Sequence, residues 1–233
     1  MITSLKLVNV TLEYPDGTST LKALDAVNLA VHQGEFLSLV GPSGSGKSSL
    51  LAVAATLIKP TSGLVLIDGQ DVSALTEAER TALRRDKVGI IFQQPNLLPA
   101  LTAVEQLVIR EHLRGNSVKD ARTKAEELLD VVGLSGATHK RPHQLSGGQR
   151  QRVNIARALM GSPSVLLVDE PTAALDHQRS ESVVRLLRQV TDEFRTATVM
   201  VTHDTEYLPL TDAVASMRDG RISGAAVPAA QPN

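Results

Sequence analysis

A glycine-rich stretch in the first quarter of the chain limits the folds that this sequence can adopt. The residues from Gly41 to Ser48 read Gly-Pro-Ser-Gly-Ser-Gly-Lys-Ser and match the pattern G-x-x-x-x-G-K-[ST]. They follow the apolar run Phe36–Val40 and precede a helical pattern over residues 49–58. A strand, a glycine-rich turn and a helix in this order aim backbone amides and the positive end of a helix at one point. The stretch therefore predicts a site that binds a nucleoside triphosphate.

Apolar runs separated by helical patterns predict an α/β fold. Two early segments, 5–12 and 24–31, alternate in part between apolar and polar residues and suit a small antiparallel sheet. Other runs are apolar throughout, as in strands buried on both faces of a parallel sheet. These runs are Phe36–Val40, 88–92, 165–168 and Ala197–Val201.

Capping residues indicate where helices begin. Thr76 and Glu79 form a capping box for a helix that ends near residue 86, and Ser117 begins another helix that Gly133 ends. Two further helices are expected over residues 148–160 and 178–190. The Ala- and Pro-rich segment 223–233 is expected to be frayed.

Composition excludes several classes of protein. The formal net charge of -1 leaves no overall basic footprint for nucleic acid. The absence of cysteine excludes disulfides and cysteine-ligated metals. The first residues do not form a signal-peptide pattern, and no apolar run approaches the ~20 residues that span a bilayer. We therefore expect a soluble domain of 233 residues, for which any membrane role depends on a separate partner.

Two carboxylates at the end of an apolar strand extend the predicted nucleotide site. Asp169 and Glu170 follow the run 165–168, where Asp169 can hold Mg²⁺ and Glu170 can accept a proton from the attacking water. In the glycine-rich loop, Lys47 is expected to contact the β- and γ-phosphates and Ser48 to offer its hydroxyl to Mg²⁺. An isolated Asp-Glu pair would more often be a solvated turn, but here the loop precedes it.

A second glycine pair opens a helix about a hundred residues after the first motif. Residues 145–149 read Leu-Ser-Gly-Gly-Gln. The hydroxyl of Ser146 and the amides of Gly147 and Gly148 would donate to a phosphate at the helix N-terminus. On its own, a Gly-Gly helix start would have no functional meaning.

Together these motifs resemble the nucleotide-binding subunit of an ABC (ATP-binding cassette) transporter, and the resemblance covers nearly the whole chain. It implies a P-loop NTPase (RecA-like) core with an N-terminal antiparallel β-subdomain and an inserted helical subdomain. The single ATPase domain would span 1–225, with its core at 1–94 and 145–225, the helical subdomain at 95–144, and a flexible tail at 226–233. Asn154 departs from the family, in which a small residue is usual.

The same resemblance implies roles for residues outside the main motifs. Gln93 is similar to the glutamine that reaches Mg²⁺ and the water when ATP is bound, and the inserted subdomain would rotate when Gln93 engages the metal. His203 resembles the histidine that senses the γ-phosphate and orients the water and Glu170. Tyr14 falls at the position of an aromatic residue that stacks on adenine, with a core or surface tyrosine as the alternative.

Asp176 ends the segment 174–176, which is similar to a loop along the dimer seam in the family; an Asp before a helix is also an ordinary N-cap. The predicted catalytic residues are Lys47, Gln93, Glu170 and His203, and the predicted metal ligands are Ser48, Gln93 and Asp169. The predicted ATP contacts are Tyr14, Gly41, Pro42, Ser43, Gly44, Ser45, Gly46, Lys47, Ser48, Ser49, Ser146, Gly147, Gly148, Gln149 and Asp176.

The function that the resemblance implies is ATP hydrolysis in a head-to-tail dimer. The implied partners are a second such subunit and a transmembrane permease, at the cytoplasmic face of the cell membrane. Residues 92–102 are most similar to the subfamily of lipoprotein release, macrolide or peptide export and cell division, which favours export or extrusion. An importer subunit, or a non-transport switch that acts on a soluble partner, remains the alternative. Relatives that maintain chromosomes carry a long coiled coil between the glycine-rich loop and the second glycine motif. About a hundred residues separate the two motifs here, too few for that coiled coil, so we expect no nucleic-acid partner. Substrate, direction of transport and permease identity are not encoded in this chain.

Overall fold

The computed structural model describes residues 2–17, 19–173 and 175–228, without the side chains of residues 16 and 224–228. The strands are β1 (Thr3–Asp16), β2 (Ser19–His32), β3 (Phe36–Val40), β4 (Ser62–Ile67), β5 (Gln70–Asp71), β6 (Val88–Ile91), β7 (Val165–Asp169), β8 (Ala197–Val201), β9 (Ala213–Arg218) and β10 (Arg221–Pro228). The helices are α1 (Lys47–Ala54), α2 (Glu77–Lys87), α3 (Ala103–His112), α4 (Val118–Val131), α5 (Gly147–Leu159) and α6 (His177–Phe194). The predicted α/β class is confirmed.

A six-stranded sheet, ordered β10-β9-β3-β8-β7-β6, forms the centre of the molecule. Strands β9, β3, β8, β7 and β6 run parallel, and β10 returns antiparallel to β9. Near the carboxyl ends, Val201 of β8 pairs with Leu39 of β3 on one side and with Asp169 of β7 on the other. The loops that follow these three strands therefore leave the sheet side by side, at the edge where open α/β sheets bind ligands.

The second sheet is antiparallel, with the order β2-β1-β4-β5. It packs with α1 against one face of the central sheet, and α3, α4, α5 and α6 contribute to a separate apolar cluster on the other face. Neighbouring residues of β7 divide between the two clusters: Leu167 belongs to the first, whereas Leu166 and Val168 belong to the second. This burial on both faces explains why the strand is apolar throughout.

Several boundaries differ from the sequence-based expectations. Helix α1 ends at Ala54 rather than near residue 58, because Thr56 adopts a left-handed backbone with φ of 58°. Helix α6 is longer than predicted and runs from His177 to Phe194. Residues 223–228, expected to be frayed, belong to β10, while residues 229–233 of the predicted tail lie outside the described residues.

The inserted segment contains a helix that was not predicted. Helix α3 begins with a capping box in which Thr102 Oγ1 accepts from the Glu105 amide, and it packs beside α4. Strands β4, β5 and β9 were also missed, and the boundaries predicted for the core and the helical subdomain stay predictions. Among the described helices, none is long and apolar enough to cross a membrane.

Helix α6 offers a test of the core on the helical face of the sheet. Leu187 is fully buried in that cluster, so Leu187→Ala should lower the free energy of unfolding by about 2–5 kcal/mol through lost apolar burial and a residual cavity. Leu57→Ala is the control, because the Leu57 side chain is 52% exposed and its removal should cost less than about 0.5 kcal/mol. Urea denaturation measures both, and equal losses would contradict the packing described.

Candidate active site

A cavity of about 520 Å³ opens where the loops after β3, β7 and β8 meet. Most residues predicted to contact the nucleotide line it, together with three residues of β2 that were not predicted. The lining residues are Tyr14, Leu21, Lys22, Ala23, Gly41, Ser43, Gly44, Gly46, Lys47, Ser48, Ser49, Asp169, Glu170, Val201 and His203.

The glycine-rich loop is held tightly against the rest of the fold. Gly41 and Gly46 have φ of 155° and 105°, and a Cβ at either position would overlap a backbone carbonyl oxygen, that of Met217 or of Ala23. The carbonyl of Ser45 accepts a hydrogen bond of 3.0 Å from the amide of Gly220, in the turn between β9 and β10. Glycine is therefore required at both positions so that the loop can approach β2 and β9.

Lys47 carries its positive charge into the cavity without a carboxylate partner among the described residues. Its Nζ donates to the carbonyl oxygens of Gly41 and Pro42, at 2.7 and 2.8 Å, and the side chain is largely buried. An ammonium group has three donors, so one remains for a further acceptor. Pro42 and Ser45 themselves do not line the cavity, and the Ser45 side chain is buried.

The carboxyl group of Asp169 is harder to ionise than that of an ordinary aspartate. Burial raises its pKa above the ordinary value, the neighbouring Glu170 charge raises it further, and Lys47 lowers it. Ser48 lines the same cavity and adds a hydroxyl. A carboxylate and a hydroxyl are oxygen donors of the kind that Mg²⁺ prefers, and a bound cation would favour the ionised carboxylate.

Glu170 and His203 are in direct contact. His203 Nδ1 lies 2.7 Å from Glu170 Oε2, and the His203 side chain is 70% exposed whereas that of Glu170 is mostly buried. The Glu170 backbone is left-handed, with φ of 45°, and its amide donates to the carbonyl of Val201 at 3.0 Å. Because a carboxylate can only accept, Nδ1 donates the proton of this contact.

The β1–β2 hairpin forms one wall of the cavity. Tyr14 is partly exposed on β1 and pairs across the hairpin with Leu21 of β2. Lys22 and Ala23 follow, and the Lys22 amine lies 3.3 Å from Asp25 Oδ1. The sequence carries no motif for these β2 residues; their role in the wall depends on the hairpin register.

Other predicted residues lie away from this cavity. Gln93 and Gly147 line a separate cleft of about 80 Å³, together with residues such as Pro171 and Leu175. The structure therefore does not bring the Gln93 amide together with Ser48, and its role as a metal ligand stays a prediction.

Helix α5 begins in the second glycine motif, and helix α6 begins directly after the seam segment. Residues at each start cap the helix to which they belong. Ser146 Oγ accepts from the amide of Gln149 at 3.2 Å, and the Gln149 side chain accepts from the amide of Ser146 at 2.9 Å. Asp176 Oδ1 accepts from the amide of Arg179 at 3.0 Å, which makes Asp176 the N-cap of α6. Neither these residues nor Gly148 line the cavity. Ala174 of the seam segment lies outside the described residues.

Asn154, the departure from the family pattern, has a structural explanation. Its side chain is fully buried on α5; Nδ2 donates to the carbonyl of Phe92 at 3.1 Å, and Oδ1 accepts from Arg157 at 2.9 Å. Arg157 in turn donates to the carbonyl of Pro95 at 2.7 Å. Asn154 thereby ties α5 to the chain on both sides of Gln93.

Comparisons with known proteins agree with this geometry. A family model described as ABC transporter matches residues 24–173. The chain is 42% identical over 216 residues to the lipoprotein-releasing system ATP-binding protein LolD of Shewanella frigidimarina, covering 93% of this chain and 90% of that protein. It is 43% identical over 222 residues to the macrolide export ATP-binding/permease protein MacB of Salmonella choleraesuis, covering 95% of this chain and 34% of that protein.

A solved structure supports the same fold. It is the dimeric, post-hydrolysis state of the ATP-binding cassette MJ0796 bound to ADP and Pi, a protein of Methanocaldococcus jannaschii. The TM-score is 0.84 at 41% identity, and the match covers 94% of this chain and 97% of that one. The predicted P-loop NTPase fold is confirmed.

The raised pKa of Asp169 predicts a pH-dependent effect on stability. A carboxyl whose pKa is raised on folding destabilises the folded state above that pKa, and this cost disappears on acidification. Asp169→Asn should therefore raise the melting temperature of the ligand-free protein at neutral pH, and the gain should shrink as the pH falls.

Asp25→Asn provides a control of opposite sign. Arg221 lowers the pKa of Asp25, so the ionised carboxylate stabilises the folded state above its ordinary pKa and this stabilisation is lost on acidification. Asp25→Asn should lower the melting temperature at neutral pH. Thermal unfolding across a pH series measures both variants, and a loss of stability in Asp169→Asn at neutral pH would contradict the electrostatics described here.

Proposed function

This chain belongs to the ABC transporter family as an ATP-binding subunit with ATP hydrolase activity, and we propose that two copies of it use ATP to drive export or extrusion through a separate membrane permease. One observation carries the proposal: a single cavity is lined by the glycine-rich loop with Lys47, by Asp169 and Glu170, and by His203. These groups match the needs of phosphoryl transfer to water, which are positioning, charge neutralisation and a proton acceptor.

Residues of this chain can hold ATP and Mg²⁺ in the cavity. The loop amides and the free donor of Lys47 would bind the phosphates, and Tyr14 would stack on the base. Ser48 and Asp169 would hold Mg²⁺, and Gln93 would join them after the inserted subdomain moves. When bound, the metal supplies positive charge that neutralises the phosphate oxygens. Lys47 and the metal would also offset the charge of Asp169.

Glu170 and His203 would carry out proton transfer and orientation. Glu170 is the proton acceptor for the attacking water, and the hydrogen bond from His203 Nδ1 holds its carboxylate in one orientation. In this arrangement the ring of His203 fixes the base through Nδ1, and its second ring nitrogen stays available for a hydrogen bond to the phosphate or the water.

A second copy of the chain would complete the site. Ser146, Gly147 and Gly148 form the N-terminus of α5 but lie outside the cavity of their own chain, so a partner's nucleotide is the ligand that they suit. The dimer of the similar cassette MJ0796, with ADP and Pi bound, supports this arrangement. We propose a head-to-tail homodimer in which Asp176 lies near the seam.

The surface that would meet the permease is a groove of about 510 Å³ between the core and the insertion. Its apolar residues include Phe92, Leu98 and Leu113, all of which are exposed. Arg110 and Arg157 also line the groove, and burial lowers the pKa of both guanidinium groups. Neither forms an ion pair with a carboxylate in the described part of the chain.

Positive charge beside exposed apolar surface fits one kind of occupant. We propose an amphipathic permease segment that places apolar side chains on Phe92 and Leu113 and an acidic side chain near Arg110. The chain would then lie at the cytoplasmic face of the membrane as a peripheral subunit. The names of LolD and MacB, which refer to lipoprotein release and macrolide export, support the outward direction.

Gentle detergent extraction of native membranes, followed by identification of the co-purifying proteins, tests this function. Recovery of a permease with a large extracytoplasmic domain is expected. A permease accompanied by a solute-binding protein would instead indicate import. Recovery of no integral membrane protein would contradict the permease partner and favour a switch that acts on a soluble protein.

Glu170→Gln tests the chemistry. It keeps the size of the side chain but removes the proton acceptor, so ATP hydrolysis should fall about 100- to 10,000-fold while the affinity for ATP is retained. Phosphate release and titration with a fluorescent ATP analogue measure the two quantities. Glu193→Gln, at an exposed position near the end of α6, is the control and should turn over ATP as the unmodified chain does. Normal turnover in Glu170→Gln would show that another group accepts the proton.

Arg110→Glu tests the groove. Reversal of this charge should reduce recovery of the permease at least about tenfold, because an acidic partner would then face a like charge. Arg122→Glu is the control, since Arg122 lies on α4 in an exposed pair with Glu126 and outside the groove. Turnover and melting temperature of the isolated variants are measured in parallel. Undiminished recovery with Arg110→Glu would exclude the acidic contact.

A further inference from the structure

Two loops leave neighbouring strands at the same edge of the central sheet. Side-chain contacts join one loop to the other at both of their ends. The first, segment 170–177, connects β7 to the start of α6, and the second, segment 203–207, follows β8. At the end next to the strands, the joining contact is the hydrogen bond of 2.7 Å between His203 and Glu170.

The second junction lies at the far ends of the two segments. His177 Nδ1 is 3.2 Å from Glu206 Oε2 and 3.3 Å from the hydroxyl of Tyr207, which also donates to the backbone carbonyl of His177 at 3.3 Å. The two rings stack with centroids 6.2 Å apart. Tyr207 is only 4% exposed, so its ring is an anchor in the core, and its hydroxyl has partners on α6 in His177 and in the side chain of Ser180.

Hydrogen bonds within each segment limit its freedom. In segment 170–177, the amide of Leu175 donates to the carbonyl of Thr172 at 3.0 Å. In segment 203–207, the amide of Glu206 donates to Asp204 Oδ1 at 3.0 Å. The amide of Asp204 donates to Thr202 Oγ1, also at 3.0 Å. The two junctions therefore link the described parts of the two segments at both ends.

We propose that Tyr207 and His177 are positioning residues for ATP hydrolysis, which hold segment 203–207 against the start of α6 and thereby keep His203 on Glu170. The inference rests on the proposed function, in which Glu170 is the proton acceptor. The exposed ring of His203 has little packing of its own, so its placement depends on the backbone that carries it. A shift at the start of α6, directly after the seam residue Asp176, is passed through Tyr207 to His203.

Tyr207→Phe tests the second junction because it keeps the buried ring and removes only the hydroxyl. Loss of the contacts that the hydroxyl makes with the start of α6 should lower kcat about two- to tenfold with the KM for ATP unchanged, and should lower the melting temperature no more than the control does. Thr191→Val is the matched control: Thr191 is also on α6 and its buried hydroxyl bonds to Thr198 at 2.7 Å, far along the helix from His177. It should lower the melting temperature and leave kcat unchanged.

A double-mutant comparison separates positioning from general stability. If Tyr207 acts through His203, Tyr207→Phe should have no further effect on kcat in a His203→Ala background, and His177→Ala should not add to Tyr207→Phe. Equal losses in both backgrounds, or an unchanged kcat in Tyr207→Phe, would overturn the inference. A larger fall in melting temperature in Tyr207→Phe than in Thr191→Val would attribute the fall in kcat to general instability and would overturn it too.

A measurement made without nucleotide distinguishes failure of this inference from failure of the proposed function. Nitrogen NMR of the histidine rings, assigned with His203→Ala, should show His203 protonated at Nδ1 in the unmodified protein and a mixture of tautomers in Tyr207→Phe. The same His203 spectrum in both proteins would contradict the positioning role. Failure of the unmodified chain to hydrolyse ATP, or hydrolysis that is insensitive to Glu170→Gln, would contradict the proposed function instead.

Discussion

Strands β3, β8 and β7 end at the same level of the central sheet, and the rest of the site depends on this alignment. Val201 pairs with Leu39 and with Asp169, so three loops from distant parts of the chain emerge together. The apolar clusters on both faces of the sheet set this register, because a shift of one residue would move buried side chains to the opposite face. Core packing on the two faces thus determines where the predicted catalytic groups lie.

Two ionisable groups in the cavity at this edge lie in electrostatically unfavourable surroundings, which a bound ligand can improve. Lys47 is largely buried and bonded only to carbonyl oxygens in the described structure, and the pKa of Asp169 is raised by burial and by Glu170. Both groups would be stabilised by a polyphosphate with its metal ion. Functional sites commonly retain such a cost in the free protein, since optimising stability there would remove the driving force for binding.

The groups outside the cavity divide into two surfaces, for which we propose different partners. The N-terminus of α5 presents Ser146 and two glycines away from its own nucleotide site, which suits a second copy of the chain. The groove beside the insertion combines exposed apolar residues with the partly buried Arg110 and Arg157, which form no ion pair within the described part of the chain. Asn154 and Arg157 connect the two regions by holding the backbone on both sides of Gln93.

Local patterns in the sequence were sufficient for the motifs and for the strands that carry them. The glycine-rich loop, Asp169, Glu170 and His203 were all recognisable because each follows a continuous apolar run, and the structure brings them into one cavity. Strand β9 was missed because Ala213–Arg218 contains few β-branched residues, and its place depends on pairing with β3. Lys22 in the cavity wall and the contact of Tyr207 with His177 were also invisible, since they depend on hairpin register and on packing between segments about thirty residues apart. The sequence by itself determined which chemical groups the site contains; tertiary structure alone decided which of them meet, because long-range contacts are set by the packing of the whole core.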